Sequence, residues 1–319
     1  MSLLEVRNLT RDYGSQRAVD NVSFTLEPGV ILGFIGPNGA GKSTTMKILA
    51  CLLRPSSGSA TVGGHDVLTD GDLIRRMVGY MPDFLGVYDD LTVDEYLQFF
   101  AAAFRIPASK RRAVVDGVLE LTDLRDKRDA MVDSLSRGMQ QRLGVARVLI
   151  HDPKVLLLDE PASGLDPRAR IEMRSLLTEL ARMGKTIMIS SHILSELAEM
   201  CSCIGIIERG KLLYAGSIQD AYARTHAGER IAVALEAPLP GGPSHAQAEA
   251  AMSAAPGVVS VSRDPERPEQ IIVELAPGFR SHHDVLAALI SSGARVASFA
   301  PRQVKLEDAF LRLTKGTLN

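Results

Sequence analysis

The sequence predicts an α/β protein built on a buried, largely parallel sheet and followed by a smaller α+β domain. Up to about residue 215, short apolar runs alternate with segments of helical periodicity, a pattern typical of parallel strands covered on both faces. The clearest runs are Val30–Ile35, Val155–Leu158 and Thr186–Ile189. With 319 residues, of which 45% are hydrophobic, the chain can bury one large core and a smaller one. We therefore expect two domains, residues 1–220 and 228–319.

A helical insertion interrupts the strand pattern of the first domain. From about residue 91 the periodicity becomes helical, and no apolar strand run follows until after residue 134. The apolar positions at helical spacing are Leu97, Phe100, Ala101 and Phe104. We expect a helical subdomain at about residues 91–145.

The second domain shows the element order β-α-β-β-α-β, which is that of a ferredoxin-like fold. The predicted elements are a strand Ile231–Leu235, a helix Ala246–Ala254, strands Val258–Ser262 and Ile271–Leu275, a helix His282–Ser291 and a strand Val296–Phe299. A turn-rich stretch, Glu236–Gly242, lies inside this domain, and a closing helix is predicted over Leu306–Thr314.

Composition argues against several classes of protein. Lys and Arg total 36 against 38 for Asp and Glu, so there is no net positive charge to favour a polyanion such as nucleic acid. No apolar run approaches a membrane span, and Glu5 and Arg7 lie where a signal peptide would be apolar. The cysteines have neither metal-binding spacing nor an even count, which indicates a reducing, cytoplasmic location. They are Cys51, Cys201 and Cys203.

A complete phosphate-binding loop follows the first clear strand. The stretch GPNGAGKST matches the pattern G-x-x-x-x-G-K-[ST] between an apolar strand and a helical segment. Glycines let backbone N–H groups turn toward phosphates, Lys42 supplies a positive charge near the β and γ phosphates, and the Ser43 hydroxyl can ligate Mg²⁺. The predicted nucleotide-binding residues of the loop are Gly36, Pro37, Asn38, Gly39, Ala40, Gly41, Lys42, Ser43 and Thr44.

Two acidic residues end the apolar strand VLLLDEP, and open α/β sheets bind their ligands at the carboxyl ends of strands. We expect Asp159 to hold Mg²⁺, directly or through water. Glu160 is placed to polarise or orient a water molecule for attack on a γ-phosphate.

The stretch SLSRGMQQR, residues 134–142, resembles the signature sequence of ABC ATPases, whose usual form is L-S-G-G-Q. Ser136 and Gly138 are retained, whereas Arg137 replaces the first glycine and Met139 the glutamine. A hydroxyl donor and a closely approaching backbone at a helix N-terminus both suit a γ-phosphate. The same residues would also serve as an ordinary helix N-cap.

The resemblance extends to three further features, and a fourth position departs from the family pattern. SGLD, residues 163–166, is similar to the family's D-loop. His192 is similar to the family's switch histidine. This similarity implies that His192 contacts the γ-phosphate and has a catalytic role beside Glu160 and Lys42. Tyr13 resembles the adenine-stacking aromatic. Asp83 replaces the usual glutamine that senses Mg²⁺ and faces the permease, so it is a further candidate metal ligand.

The resemblance implies a phosphate-loop, ABC-type ATPase that uses ATP and Mg²⁺. It implies a homodimer, or a pair of ATPase subunits, that sandwiches two ATP molecules, with Ser136 and Gly138 contributed by the other subunit. The replacements Asp83, Arg137 and Met139, together with the ending PRQVKLEDAFLRLTKG (residues 301–316), resemble the daunorubicin-resistance-type branch of ABC exporters. This branch implies a separate membrane permease, a peripheral location on the cytoplasmic face of the membrane, and export of a drug, lipid, polysaccharide or ion.

A rival hypothesis is a soluble ABC ATPase that acts on nucleic acid or ribosomes. Such proteins carry two cassettes or a long coiled-coil arm, whereas this chain has one cassette and too short an interval between Lys42 and Ser136 for an arm. A GTP-dependent switch would need N-K-x-D, which does not occur in the sequence. The second domain is open to two interpretations, a dimerisation or regulatory module and a passive stabilising appendage.

Overall fold

The computed structural model describes residues 2–84, 86, 90–193, 197, 200–224, 229–237, 243–264, 267–276, 278–279 and 281–302. The chain divides into two compact units, residues 1–218 and 219–319. The elements of the first unit, in chain order, are β1 (Leu4–Tyr13), β2 (Gln16–Leu26), β3 (Ile31–Ile35), α1 (Lys42–Leu49), β4 (Ser57–Val62), β5 (His65–Asp66), α2 (Gly71–Met77), β6 (Val78–Met81), α3 (Val93–Ala103), α4 (Ala108–Leu121), α5 (Arg137–Leu149), β7 (Val155–Asp159), α6 (Pro167–Arg182), β8 (Thr186–Ser191), β9 (Cys203–Glu208) and β10 (Lys211–Ser217). Helix α7 (Ile218–Arg224) begins at the boundary between the units.

The central sheet of the first unit has the strand order β10-β9-β3-β8-β7-β6. Its strands run parallel except for β10, which pairs antiparallel with β9, so the predicted largely parallel sheet is confirmed. In the register, Ile35 lies beside Ser191, and Asp159 lies beside Ser190. The carboxyl ends of β3, β8 and β7 therefore meet at one edge of the sheet, where open α/β sheets hold ligands.

A second, antiparallel sheet has the order β2-β1-β4-β5. Its apolar side chains share one hydrophobic core with β3 and α1, the strand and the helix that flank the phosphate loop. The ring of Phe24 on β2 lies 5.8 Å, centroid to centroid, from that of Phe34 on β3. Full burial of a side chain of this size contributes about 1.5–3 kcal/mol.

The predicted helical insertion is confirmed as α3, α4 and α5, with short 3-10 turns at Arg125–Lys127 and Val132–Ser134. Helix α3 begins at a capping box, in which Thr92 and Glu95 satisfy each other's backbone N–H groups. The helix ends at Ala103, and the Phe104 ring beyond it stacks on His151 at a centroid distance of 4.0 Å.

The second unit contains β11 (Arg230–Leu235), α8 (His245–Ser253), β12 (Val258–Arg263), β13 (Gln270–Leu275), α9 (His282–Ser291) and β14 (Val296–Arg302). The strands form an antiparallel sheet of order β12-β13-β11-β14, which confirms the predicted ferredoxin-like arrangement. One face of the sheet packs against α8 and α9 around Ile231, Val273 and Leu289. The closing helix predicted over residues 306–314, and residues 238–242 of the predicted turn, lie outside the described residues.

Candidate nucleotide-binding site

The phosphate loop joins buried strand β3 to helix α1, and its glycines have steric reasons to be glycine. Gly39 and Gly41 adopt φ angles of 79° and 107°, which cost little only for glycine. A Cβ on Gly36 would lie 2.2 Å from the Ile207 carbonyl oxygen, and one on Gly41 would lie 2.4 Å from that of Ala18. The loop therefore wraps closely around neighbouring backbone and presents the positive N-terminus of α1 to a ligand.

Lys42 is held beneath this loop with only 6% of its surface exposed. Its Nζ donates hydrogen bonds to the carbonyl oxygens of Gly36 at 2.6 Å and Pro37 at 3.3 Å. The same atom lies 3.3 Å from Glu160 Oε1, an ion pair without the alignment of a hydrogen bond. The loop lysine and the acid that ends β7 therefore meet at the sheet edge.

Ser190 organises the two acids at the end of β7. Its Oγ accepts a hydrogen bond from the Glu160 backbone N–H at 2.9 Å and donates one to Asp159 Oδ1 at 2.5 Å. Both acids are buried, at 2% exposure for Asp159 and 8% for Glu160. Glu160 has a φ angle of 52°, which costs a non-glycine residue about 1–3 kcal/mol and marks a constrained position.

His192 follows β8 and completes the contacts of Glu160. Its Nδ1 lies 2.9 Å from Glu160 Oε2, on the carboxylate oxygen opposite to the one that faces Lys42. The carboxylate is thus placed between a lysine and a histidine, which fixes its plane. The structure brings together the three predicted catalytic residues, Lys42, Glu160 and His192.

A cleft of about 340 Å³ lies over the loop. Its lining residues are Tyr13, Gln16, Ala18, Asn38, Gly39, Ala40, Gly41, Lys42, Ser43, Thr44, Asp83 and Glu160. Tyr13 is 46% exposed at the end of β1, and the Arg11 guanidinium lies 4.8 Å from the centre of its ring. An aromatic ring beside a phosphate loop can stack a base on its open face.

Asp83 lines the same cleft just beyond β6. Burial raises the pKa of its carboxyl group, and the negative charges of Asp159 and Glu160 raise this pKa further, while Arg137 and His192 oppose the shift. Three acids therefore share a small region, an arrangement that favours a bound cation.

Oxygen donors of this kind suit Mg²⁺. Asp159, Asp83 and the Ser43 hydroxyl are hard ligands, and Mg²⁺ is commonly held by one or two carboxylates together with substrate phosphates. Within the part of the chain that the structure describes, no three or more His, Cys, Asp and Glu side chains are grouped closely enough to hold a metal ion by themselves. The residues present therefore fit a metal that binds jointly with a nucleotide.

Ser136 and Gly138 are not among the described residues that line the cleft. Ser136 is exposed and caps α5, where its Oγ accepts from the Met139 N–H at 3.4 Å. A Cβ on Gly138 would lie 2.7 Å from the Ala169 Cβ, so this glycine allows α5 to pack on α6. Within one chain, Ser136 therefore caps α5 and Gly138 allows α5 to pack closely on α6. Ser136 is also exposed to solvent.

Sequence reasoning missed Ser190 and Arg11. The dipeptide Ser190–Ser191 before His192 was the available signal for the first, because two hydroxyls at a strand end beside acids are natural donors. Arg11 lies two residues before Tyr13 on β1, and side chains two residues apart in a strand point to the same face.

A phosphate loop facing two buried acids and a histidine, at the carboxyl ends of parallel strands, defines a phosphate-loop nucleoside triphosphatase. The family model described as ABC transporter matches residues 19–163. A Nod factor export ATP-binding protein I from Ralstonia nicotianae is 34% identical, over 98% of this chain and 94% of the relative. This chain belongs to the ABC transporter family, as an ATP-binding and ATP-hydrolysing subunit.

Other relatives agree with this placement. The bacitracin transport ATP-binding protein BcrA of Bacillus licheniformis is 41% identical over 66% of this chain and 69% of its own length. CbiO1 of Clostridium perfringens, described as part of the ABC transporter complex CbiONQ, is 28% identical, with a TM-score of 0.64 over 70% of this chain and 91% of its own. A dimeric ATP-binding cassette, MJ0796, bound to ADP and Pi is 25% identical, with a TM-score of 0.61 over 67% and 98%.

Proposed function

We propose that this chain binds MgATP in the cleft over residues 36–44, hydrolyses it between two subunits, and drives export through a separate membrane permease. The observation that supports this most directly is the meeting of Lys42, Glu160 and His192 at the carboxyl edge of the parallel sheet. Phosphoryl transfer depends on positioning and charge stabilisation, and these three side chains supply both.

Each of the three side chains has a defined task. Lys42 and the loop N–H groups neutralise the β and γ phosphates. Glu160 accepts a hydrogen bond from the attacking water or takes its proton, and His192 orients the Glu160 carboxylate and contacts the γ-phosphate. Tyr13 stacks on the adenine.

Ser43, Asp159 and Asp83 would hold Mg²⁺ together with the nucleotide, and the ion would supply positive charge to neutralise the phosphates. Ser190 supports this site by fixing Asp159 Oδ1 and the Glu160 backbone with a single hydroxyl.

Two copies of the chain form the working unit. Ser136 and Gly138 lie outside the cleft of their own chain, so they can complete a site only from a second copy. The Ser136 hydroxyl and the N-terminus of α5 then face the γ-phosphate of the partner. Loss of that phosphate removes the contact and separates the pair.

The permease is a separate polypeptide, and this subunit is peripheral to the membrane on its cytoplasmic face. Among the helices that the structure describes, none combines the length and the apolarity needed to cross a bilayer. Phe84, next to Asp83, is 84% exposed, which suits an apolar contact with permease helices. The substrate is a drug, lipid, polysaccharide or ion, and relatives named for Nod factor export and bacitracin transport support export as the direction.

Calorimetric titration with ATP tests the binding site. Lys42→Ala should weaken MgATP binding by at least about tenfold, because charged hydrogen bonds contribute about 1.5–3 kcal/mol each. Lys47→Ala, at an exposed position on the same helix, is the matched control and should bind as the wild type does. Equal affinity for Lys42→Ala and wild type would refute the assignment of the loop.

A further inference from the structure

Arg137 replaces the first glycine of the usual signature, and the structure shows where its side chain goes. The residue is exposed at the first position of α5, between Ser136 and Gly138. A Cβ built on Gly164 would lie 2.5 Å from Arg137 Cζ and 2.7 Å from each of its two terminal nitrogens. The guanidinium therefore lies directly against Gly164, in the SGLD stretch.

The three distances also give the orientation of the guanidinium. Since Cζ is nearer than the two nitrogens, which are equidistant, the group presents its flat face to Gly164 rather than its hydrogen-bonding edge. Gly164 has a φ angle of 67° and no side chain, so it alone permits this approach.

Gly164 belongs to the turn that carries Glu160. The Ser163 N–H donates to the Glu160 carbonyl oxygen at 3.1 Å, and the Leu165 N–H donates to that of Ala162 at 3.4 Å. At the other end of the turn, the Asp166 side chain caps α6 by accepting a hydrogen bond from the Ala169 N–H. A group pressed on Gly164 therefore restricts the backbone of Glu160, four residues earlier.

We propose that Arg137 is a positioning residue for ATP hydrolysis, whose flat guanidinium clamps the 160–164 turn in its own subunit and so holds the Glu160 carboxylate in place. This inference rests on the proposed catalytic role of Glu160. It assigns Arg137 a task within one chain, in contrast to the trans contact assigned to Ser136. The influence of Arg137 on the pKa of Asp83 agrees with its position near the cleft.

Two variants separate packing from charge. Arg137→Gly, which restores the usual signature residue, should lower kcat by about tenfold, because small displacements of a catalytic group are costly. The ATP affinity of the free chain should not change, since Arg137 does not line the cleft. Arg137→Lys keeps the positive charge but lacks the planar guanidinium group. Its kcat should therefore fall as much as that of Arg137→Gly. A wild-type kcat for either variant would overturn the proposal.

A double-mutant cycle tests the contact itself. Gly164→Ala should lower kcat more in the Arg137 background, where the new Cβ meets the guanidinium, than in the Arg137→Gly background, where only the φ strain persists. Gly184→Ala reports that strain alone, because its φ angle is 88° and nothing lies within 4 Å of its Cβ position. Equal fold losses from Gly164→Ala in both backgrounds would show that no coupling exists and would overturn the inference.

Amide hydrogen exchange provides a readout that does not require turnover. Arg137→Gly should speed exchange at Ser163 and Leu165 in the nucleotide-free chain while leaving exchange in β7 unchanged. Unchanged rates at both amides would contradict the clamp. If Glu160→Gln hydrolyses ATP normally, the proposed function fails; if it is inactive but the cycle shows no coupling, only the role of Arg137 fails.

Discussion

The ammonium group of Lys42 lies 3.3 Å from the Glu160 carboxylate, with 6% and 10% of the two side chains exposed. Each buried charge requires a partner: the two groups pair with each other, and His192 contacts the second oxygen of the Glu160 carboxylate. Because phosphates would bring a larger negative charge close to Lys42, we expect bound ATP to weaken the contact between Lys42 and Glu160.

Glu160→Gln should keep MgATP binding and lower turnover by at least about a hundredfold, the range usual for loss of a general base. The amide retains the shape of the side chain but cannot take a proton. Steady-state phosphate release and calorimetry measure the two effects. The variant should also accumulate as an ATP-bound dimer, detectable by sedimentation.

Glu27→Gln is the matched control for this substitution, because its carboxylate is exposed between β2 and β3, away from the cleft. It should hydrolyse ATP at the wild-type rate. If Glu160→Gln also turns over at that rate, Glu160 is not the catalytic group.

Ser190→Ala should lower both stability and kcat. The substitution leaves the Glu160 N–H and one oxygen of Asp159 without their partner in a buried place, at a cost of about 1–3 kcal/mol. Thermal unfolding should show a lower Tm, and phosphate release should fall by about tenfold because Glu160 and Asp159 lose their alignment. Ser57→Ala, on an exposed strand position, should change neither, and equal behaviour of the two variants would contradict this role.

The sequence predicted the parts of the site that depend on local pattern. The phosphate loop follows β3, Asp159 and Glu160 lie at the end of β7, and His192 follows β8, and parallel strands align their carboxyl ends. It did not predict that the Ser190 hydroxyl bridges Asp159 and Glu160. The sequence alone does not show which of the two neighbouring serines, Ser190 or Ser191, faces the acids. Nor could it predict that Arg137 lies on Gly164, since that contact depends on how α5 packs beside the turn after β7.

His151 should make stability fall below neutral pH. Burial lowers the pKa of its ring, an effect that exceeds the opposing influences of the Val78 carbonyl and Asp152, while Lys185 lowers the pKa further. The unfolded chain, with a histidine pKa of about 6.5, therefore binds protons that the folded chain does not, and the free energy of unfolding decreases as pH falls through that value. Denaturant unfolding at a series of pH values measures this decrease.

His151→Phe keeps an aromatic ring against Phe104 and removes the titrating group. Its stability is expected to be lower near pH 7, because the Val78 carbonyl loses its partner at 3.1 Å, and to decline less toward acid pH. His283→Phe, at an exposed position, is the control and should keep the wild-type slope. An unchanged slope in His151→Phe would assign the acid sensitivity to other groups.

Ser136→Arg should block hydrolysis while leaving ATP binding to the single chain intact. Ser136 lies outside the cleft of its own chain, so the new side chain does not obstruct the loop. In a dimer, however, it adds bulk and displaces a donor at the γ-phosphate of the partner. Phosphate release and calorimetry on the purified variant measure both effects. Ser134→Arg, at an exposed position two residues earlier, is the control for added charge.

Mixing Ser136→Arg with Lys42→Ala subunits tests whether the two residues act in trans. A mixed pair contains one composite site that carries both lesions and one that carries neither, so activity should partly return although each variant is inactive alone. Mixed dimers can be isolated by two affinity tags, which removes the homodimers from the measurement. If such isolated pairs stay inactive, either both sites must be intact for turnover or Ser136 does not act in trans. Normal hydrolysis by Ser136→Arg alone would exclude Ser136 from the site altogether, since an arginine cannot replace a small hydroxyl donor at the end of a helix without displacing the phosphate.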